Sequence, residues 1–166
     1  MEVIFVKREA IKLAGYALKT SSRNGENFKA IPIFWGAYMN DGRMQKLHGE
    51  GFVNNHAEYG VCFPEDAEGG FEYVIGVELK VGAAVSSGYH CCEIPASYYA
   101  VFTSPPADAD GFSSAIQQTW RDIFSQWFPL SDRKMDEAGL SFELYDERSM
   151  NETGKVCEIW IPVIQS

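Results

Sequence analysis

The clearest alternation of apolar and polar residues lies at the carboxyl end of the chain. Residues 157–163 read Cys-Glu-Ile-Trp-Ile-Pro-Val, with apolar side chains at every second position. Residues 142–145, Phe-Glu-Leu-Tyr, alternate in the same way. Because successive side chains of a strand point to opposite faces, both segments are predicted to be half-buried strands. If they pair as a hairpin, we expect its non-core face to carry Glu143, Tyr145, Glu158 and Trp160.

The rest of the chain contains further strand patterns. Residues 3–20 are predicted to be extended, with an interruption near Glu9 and Ala10. Residues 59–63 and 71–79 alternate around a Gly-rich segment that suits a hairpin connection. Two more extended segments, residues 89–94 and 98–103, are split by a proline. Residues 46–57 are polar and contain glycine, and they are predicted to be a loop.

Apolar residues at helical spacing predict two long helices. The first is expected to begin near Ala30, because Pro32 is best tolerated in a first helical turn. The second carries apolar side chains from Phe112 to Trp127, and Asp110 is a candidate N-cap. Pro129 is expected to stop this helix.

The order strand, helix, strand, strand therefore occurs twice. A shift of 83 residues, half of 166, places the Tyr-Ala pair at 16–17 on the Tyr-Ala pair at 99–100. We predict an α+β fold with antiparallel sheets, in which duplicated βαββ units are related by a pseudo-twofold axis. The single domain would span residues 1–166, with repeats at about 1–83 and 84–166, and two long helices would flank a central groove.

The shift also predicts what lines that groove. On its ligand-facing side the first half is expected to supply small residues, which are Gly60, Cys62, Val74 and Gly76. The second half is expected to supply Glu143, Tyr145, Glu158 and Trp160. Small residues opposite large ones leave room for a ligand, although loop side chains filling that room is the alternative.

Charge and composition exclude several classes of function. The net charge is −9 and the pI is about 4.8, which argues against a surface that binds the nucleic-acid backbone. No apolar run reaches the length of a membrane span, and the amino terminus does not resemble a signal peptide. Four cysteines without C-x-x-C spacing predict reduced thiols and a cytoplasmic location. Three scattered histidines predict no metal site, and no cofactor motif is present.

Carboxylates beside aromatic rings are suited to lipophilic cations. The ring quadrupole and the carboxylate both attract positive charge, so a face with two glutamates and two large rings predicts a receptor for such ligands. Glutamates on the polar face of a hairpin are more commonly solvated surface residues, and that interpretation stays open here.

Seven segments together resemble a known family, the gyrase-inhibitor-like (GyrI-like) small-molecule-binding domain, also called the AraC/Rob-type effector-binding domain. The segments are residues 31–35, 58–61, 73–78, 94–102, 120–127, 142–146 and 158–162. The resemblance implies paired βαββ units, a groove at the pseudo-twofold, and binding of lipophilic, often cationic, compounds near a groove glutamate. Glu158 and Glu143 both match that glutamate. In many relatives a DNA-binding helix-turn-helix region precedes this domain, whereas here nothing precedes it. The sequence is therefore expected to be a stand-alone receptor without direct transcriptional control.

The resulting hypothesis is a cytoplasmic effector-binding protein for hydrophobic, cationic small molecules, without nucleic-acid or membrane contact. The ligand-binding residues are expected to be Glu158, Glu143, Tyr145, Trp160, Tyr99, Trp120, Phe124, Tyr38, Trp35, Tyr59 and Gly76. Two alternatives stay open. A groove glutamate with a raised pKa could act as the general acid or base of a hydrolase of reactive small molecules, and the domain could be a gyrase-inhibitor-like protein-interaction module.

Overall fold

The computed structural model describes residues 1–165. It has the predicted α+β class, with antiparallel strands and two long helices. In chain order the strands are β1 (Val3–Arg8), β2 (Ile11–Ser21), β3 (Val53–Cys62), β4 (Gly70–Leu79), β5 (His90–Ile94), β6 (Ser97–Thr103), β7 (Ser141–Tyr145) and β8 (Glu158–Pro162). The helices are α1 (Glu26–Asn40), α2 (Arg43–His48) and α3 (Phe112–Asp122), and α3 continues through a π-helical turn (Ile123–Trp127) into a last helical turn (Phe128–Leu130).

The chain divides into two compact units. Residues 11–94 form the first, here called the middle unit, and residues 1–10 with residues from 95 onwards form the second, the terminal unit. Each unit contains one strand-helix-strand-strand series, as the duplicated pattern predicts. Strand β1 thus belongs with the second series although it precedes the first. The pseudo-twofold relation, the repeat boundaries and the groove between the halves stay predictions.

In the middle unit the strand order is β3-β4-β2-β5. The predicted alternation of β4 is confirmed, since Tyr73, Ile75 and Val77 share a hydrophobic cluster with Phe34 and Tyr38 of α1. Strands β2 and β4 approach closely where Gly15 lies opposite Gly76. A Cβ atom at Gly15 would collide with the backbone of Ile75, so only glycine permits this pairing.

In the terminal unit the strand order is β1-β6-β8-β7. Phe102, Ile159 and Ile161 lie on one face of this sheet and pack with Ile116 and Ile123 of the helical run. The predicted hairpin pairing of residues 142–145 with residues 158–162 is confirmed.

The register of that hairpin overturns the expected arrangement of its acids. Glu143 pairs with Ile159, and Glu158 pairs with Leu144. Directly opposite residues of an antiparallel pair point to the same face. Glu143 therefore lies on the helix-covered face and Glu158 on the opposite face, so the prediction that they share a non-core face is wrong. A one-residue difference in register exchanges the two faces of a strand, and alternation alone does not fix the register.

The same correction applies to the small residues of the middle unit. Gly60 pairs with Ile75, and Ile75 belongs to the cluster beneath α1. Val61 pairs with Val74, one position along, and so lies on the opposite face. The four small residues predicted for one ligand-facing side are thus divided, with Gly60 and Cys62 on the helix side and Val74 and Gly76 on the other.

Several predicted boundaries also differ. Helix α1 begins at Glu26, after Asn24 and Gly25 in the left-handed conformation, so Pro32 lies inside the helix and the predicted start near Ala30 is wrong. The predicted loop over residues 46–57 contains the end of α2 and half of β3. No helix within residues 1–165 combines the length and apolar character needed to cross a bilayer. The cytoplasmic location stays a prediction.

The beginning and end of the second helical run differ from expectation as well. Gly111, rather than Asp110, precedes α3, and no side chain caps the helix there. The Asp108 carboxylate instead accepts a hydrogen bond from the Gly111 N–H at 2.9 Å. Pro129 lies within the last turn rather than after it, and the run ends one residue later at Leu130.

Candidate functional site

Glu143 projects from β7 towards the helical run of the terminal unit. Its side chain is buried, with 6% of the residue exposed. The indole Nε1–H of Trp120 donates to Glu143 Oε2 at 2.9 Å, and the Tyr145 hydroxyl donates to Oε1 at 3.3 Å. Both donors are neutral, and both belong to aromatic side chains. The structure thus brings Glu143, Trp120 and Tyr145, all predicted site residues, together around one carboxylate.

A ladder of three stacked rings extends from this carboxylate along the helical run. Trp120 is parallel to Phe124, with ring centroids 6.3 Å apart and an interplanar angle of 2°. Phe124 stacks on Phe128 at 5.5 Å. Phe124 is 46% exposed, whereas Glu143 at the inner end is buried. We call Glu143, Tyr145, Trp120 and Phe124 the Glu143 site; it joins an exposed ring to a buried acid.

The charge of Glu143 acts on a neighbouring thiol, that of Cys157. Cys157 is 1% exposed, and its pKa is raised well above 9.0, first by burial and then by the charge of Glu143. Phe112 packs edge-on against Tyr145, with ring centroids 6.1 Å apart. Glu143 thus acts on an apolar part of the unit, where a charge is weakly screened.

Glu158, on the opposite face, has a different set of partners. The Trp160 indole N–H donates to Glu158 Oε1 at 3.1 Å. The Arg148 guanidinium lies 2.9 Å from Glu158 Oε2 and 2.7 Å from Asp146 Oδ2. Hydrogen bonds from Arg148 hold the pKa of Asp146 below its usual 3.8. Glu158 therefore already has a cation from its own chain.

The predicted residues Trp160 and Tyr99 form an aromatic cluster on the face of Glu158. Trp160 stacks on Phe142 at 5.3 Å, and Tyr99 meets both rings edge-on at 5.4 Å. Tyr99 is fully buried, and burial raises its pKa to about 12. The guanidinium of Arg8 lies 5.3 Å from the centre of the Trp160 ring. This face is therefore well packed and carries a cation already.

The four predicted residues of the middle unit do not form one cluster. Tyr38 and Trp35 lie on α1, where their rings meet edge-on at 6.0 Å and Trp35 donates to the Tyr73 hydroxyl at 2.8 Å. Tyr59 and Gly76 are paired on β3 and β4, on the face away from α1. The Tyr59 hydroxyl donates to Glu78 at 3.4 Å.

Sequence analysis missed three kinds of residue. Phe128, the outer ring of the ladder, follows Trp120 and Phe124 at four-residue spacing, so helical periodicity could have found it. Arg148, which pairs with Glu158, lies in the connection between β7 and β8, where no pattern signals a partner. Glu58 and His48 meet in the middle unit although they are ten positions apart, and only the fold brings them together.

Comparison with known proteins places the chain in a family. The family model of Cass2, described as integron-associated effector binding protein, matches residues 5–163. The transcriptional regulator BrlR of Pseudomonas aeruginosa is 32% identical over 108 residues, which are 63% of this chain and 37% of BrlR. The chain thus spans about a third of the length of this curated relative.

Two solved structures share the fold. SAV2435 bound to tetraphenylphosphonium has a TM-score of 0.79 at 21% identity, and the match covers 99% of this chain and 94% of SAV2435. A transcription regulation protein of Staphylococcus aureus MU50, described as putative, has a TM-score of 0.77 at 20% identity, with 99% of both chains covered. The resemblance to GyrI-like effector-binding domains is confirmed, and the chain belongs to the Cass2 family of integron-associated effector binding proteins.

Proposed function

We propose that this effector-binding domain binds lipophilic cations at the Glu143 site, as a ligand-binding module of the kind found in transcription regulators. The observation that carries the proposal is the Glu143 carboxylate, buried and fixed by the N–H of Trp120 and the O–H of Tyr145. A carboxylate oriented by aromatic donors presents negative charge next to ring faces that also attract cations.

The ring ladder supports a large ligand that carries aromatic rings rather than a small ion. A cation with phenyl groups could contact the exposed ring of Phe124 while its charge lies towards Glu143. Apolar area removed from water contributes about 25 cal/mol per Å², so each covered ring adds appreciably to affinity. The charge supplies selectivity, because a neutral ligand of the same shape gains only the apolar term.

Glu158 is the less suitable acid. Its carboxylate is paired with Arg148 at 2.9 Å and accepts from Trp160. A cationic ligand would have to displace Arg148, which would lose a charge-assisted hydrogen bond as the new contact forms. We therefore assign Glu143 as the central acid and Glu158 as part of a packed ion-pair network.

The comparisons support the choice of ligand class. SAV2435, which has a similar fold over nearly the whole chain, is described as bound to tetraphenylphosphonium, a lipophilic cation. BrlR, a transcriptional regulator, shares 32% identity over the matched segment. The first observation favours this ligand class, and the second favours an effector module of a transcription regulator.

Isothermal titration calorimetry with two probes tests this function. Tetraphenylphosphonium is compared with triphenylphosphine oxide, which is neutral and also presents aromatic rings. We expect saturable binding of the cation, with an affinity about tenfold or more above that of the oxide, since the charge contributes about 1.4 kcal/mol or more. Equal affinities, or no binding of the cation, would contradict the proposal.

A further inference from the structure

Three buried polar atoms of the middle unit lie near one another but make no hydrogen bond of good geometry. Among residues 1–165, six buried side-chain nitrogen or oxygen atoms lack a partner, and three of them are Tyr38 Oη, His48 Nε2 and Glu58 Oε2. His48 Nε2 lies 3.5 Å from Glu58 Oε2. The pKa of Tyr38 is raised first by burial, then by the charge of Glu58 and by a weak hydrogen-bonding contact with that carboxylate. Tyr38 is fully buried and Glu58 is 6% exposed. Buried polar groups that are left unpaired are expensive, so their convergence points to a bound partner.

His56 contacts the other ring nitrogen of His48, so the proton shared by the two rings sets whether His48 Nε2 donates or accepts. His56 Nδ1 lies 2.8 Å from His48 Nδ1, and a contact this short requires one proton between the two nitrogens. If that proton belongs to a neutral His48, then His48 Nε2 carries a lone pair and is an acceptor. Glu58 Oε2 is also an acceptor, and 3.5 Å is too long for a good hydrogen bond between them. A donor group that lies beside both atoms, about 2.9 Å from each, would satisfy both.

We propose that Tyr38, His48 and Glu58 form a binding site for a primary ammonium group, here called the ammonium site. An ammonium group has three N–H donors and no acceptor, which matches a carboxylate oxygen, an imidazole lone pair and a phenol oxygen. Its positive charge also compensates the buried carboxylate. The rings of Tyr16 and Trp35 lie 5.9 and 6.0 Å from the ring of Tyr38 and so flank the Tyr38 side of the site.

The nearby cationic side chain does not fill this role. The guanidinium of Arg43 lies over the rings of Tyr16 and Phe34, at 5.1 and 5.5 Å, and its Nε is 2.8 Å from Asp41. Arg43 is thus engaged outside the three unpartnered atoms. The His48 side chain is 16% exposed although its Nε2 is buried, so the ammonium site lies close to the surface there. The inference goes beyond the proposed function, because it concerns other residues, another unit and a smaller, more polar ligand.

An NMR titration with methylammonium chloride tests the ammonium site. Shifts of the His48 ring and of nearby backbone amides are followed at constant ionic strength, with tetramethylammonium chloride as the probe that has the charge but no N–H donor. We expect saturable shifts with methylammonium only. Tyr38→Phe, which removes one oxygen and keeps the ring, should weaken binding by about threefold to tenfold, and Glu58→Gln by tenfold or more.

Glu65→Gln, an exposed glutamate of the same unit, is the matched control for charge and should bind as the native chain does. Three results would overturn the inference. They are no saturable shift with methylammonium, an equal response to tetramethylammonium, or unchanged binding in both Tyr38→Phe and Glu58→Gln. A His48 that carries protons on both nitrogens and pairs with Glu58 itself would give the first result. Circular dichroism melts show whether each variant folds. If Glu58→Gln does not fold, binding to Tyr38→Phe alone tests the site.

Discussion

Glu143 and Glu158 show at the scale of single residues how environment separates two identical side chains. Each accepts an indole N–H, from Trp120 and Trp160 respectively. Glu158 also faces Arg148, whereas Glu143 lies beside the Tyr145 hydroxyl and the inner end of a ring ladder. Glu158 is thus held in an ion-pair network, whereas the charge of Glu143 is directed towards aromatic faces.

The network around Arg148 predicts a dependence of stability on pH. The folded pKa of Asp146 is lowered, so its contribution is fully present above the ordinary value of 3.8 and is lost as pH falls through the folded pKa. We expect Asp146→Asn to reduce the free energy of unfolding by about 1 kcal/mol at pH 6. The reduction should become smaller as the pH falls below 3.8. Urea unfolding from pH 6 to pH 3 measures this difference.

Asp132→Asn is the control, because the Asp132 side chain is 96% exposed and lies 3.8 Å from Arg133. We expect no measurable change for this variant, since exposed ion pairs contribute little. A constant difference between the native chain and Asp146→Asn across the whole pH range would contradict the role assigned to Asp146.

At the scale of elements, the helical run after α3 organises the candidate site. In the π-helical turn Ile123–Trp127, Ile123 lies in the core while Phe124 is exposed beside Trp120. Turns of this kind are frequent at functional sites. The run therefore combines a buried stripe that anchors it to the sheet with an exposed ring that a ligand can contact.

Phe124→Ala tests that combination. We expect it to weaken tetraphenylphosphonium binding by about fivefold, because one ring contact with a cation is worth about 1 kcal/mol. The free energy of unfolding should change little, since the side chain is 46% exposed. Leu130→Ala is the control in the same run, where Leu130 is 88% exposed and outside the ladder. Equal affinities of Phe124→Ala and the native chain for tetraphenylphosphonium would show that Phe124 does not contribute to binding.

Helix α1 provides a prediction that concerns stability alone. Pro32 lies in its interior, where the missing N–H cannot bond to the carbonyl of Phe28. We expect Pro32→Ala to raise the free energy of unfolding by about 1–3 kcal/mol, the upper limit being the helix preference of alanine over proline. Urea unfolding measures the change. A lower stability would mean that Pro32 makes packing contacts that outweigh its effect on the helix.

The sequence predicted the elements better than the arrangement of the site. Hydrophobic periodicity located β4, β6, β7, β8 and both long helices, because burial of a face leaves a periodic trace. It could not assign Glu143 and Glu158 to opposite faces, because the register of β7 on β8 depends on how the chain returns between them. The partners Arg148 and His48 lie on segments without periodicity, so only the folded chain brings them to their glutamates.

At the scale of the whole molecule, the net charge of −9 is compatible with a cationic effector. A negative surface raises the local concentration of cations, and salt screens this effect over a distance of about 10 Å at 0.1 M. We expect tetraphenylphosphonium affinity to fall by about threefold between 20 and 500 mM NaCl. The affinity of neutral triphenylphosphine oxide should not fall. An equal decrease for both probes would show that salt acts on the protein rather than on the charge of the ligand.

The central claim is that Glu143, and not Glu158, supplies the negative charge that holds the ligand. Calorimetric titration of tetraphenylphosphonium into Glu143→Gln and Glu158→Gln tests it most directly, since each variant removes one charge and nearly conserves shape. We expect Glu143→Gln to lose about tenfold or more in affinity and Glu158→Gln to stay within about twofold of the native chain. Retained affinity in Glu143→Gln together with a loss in Glu158→Gln would contradict the account.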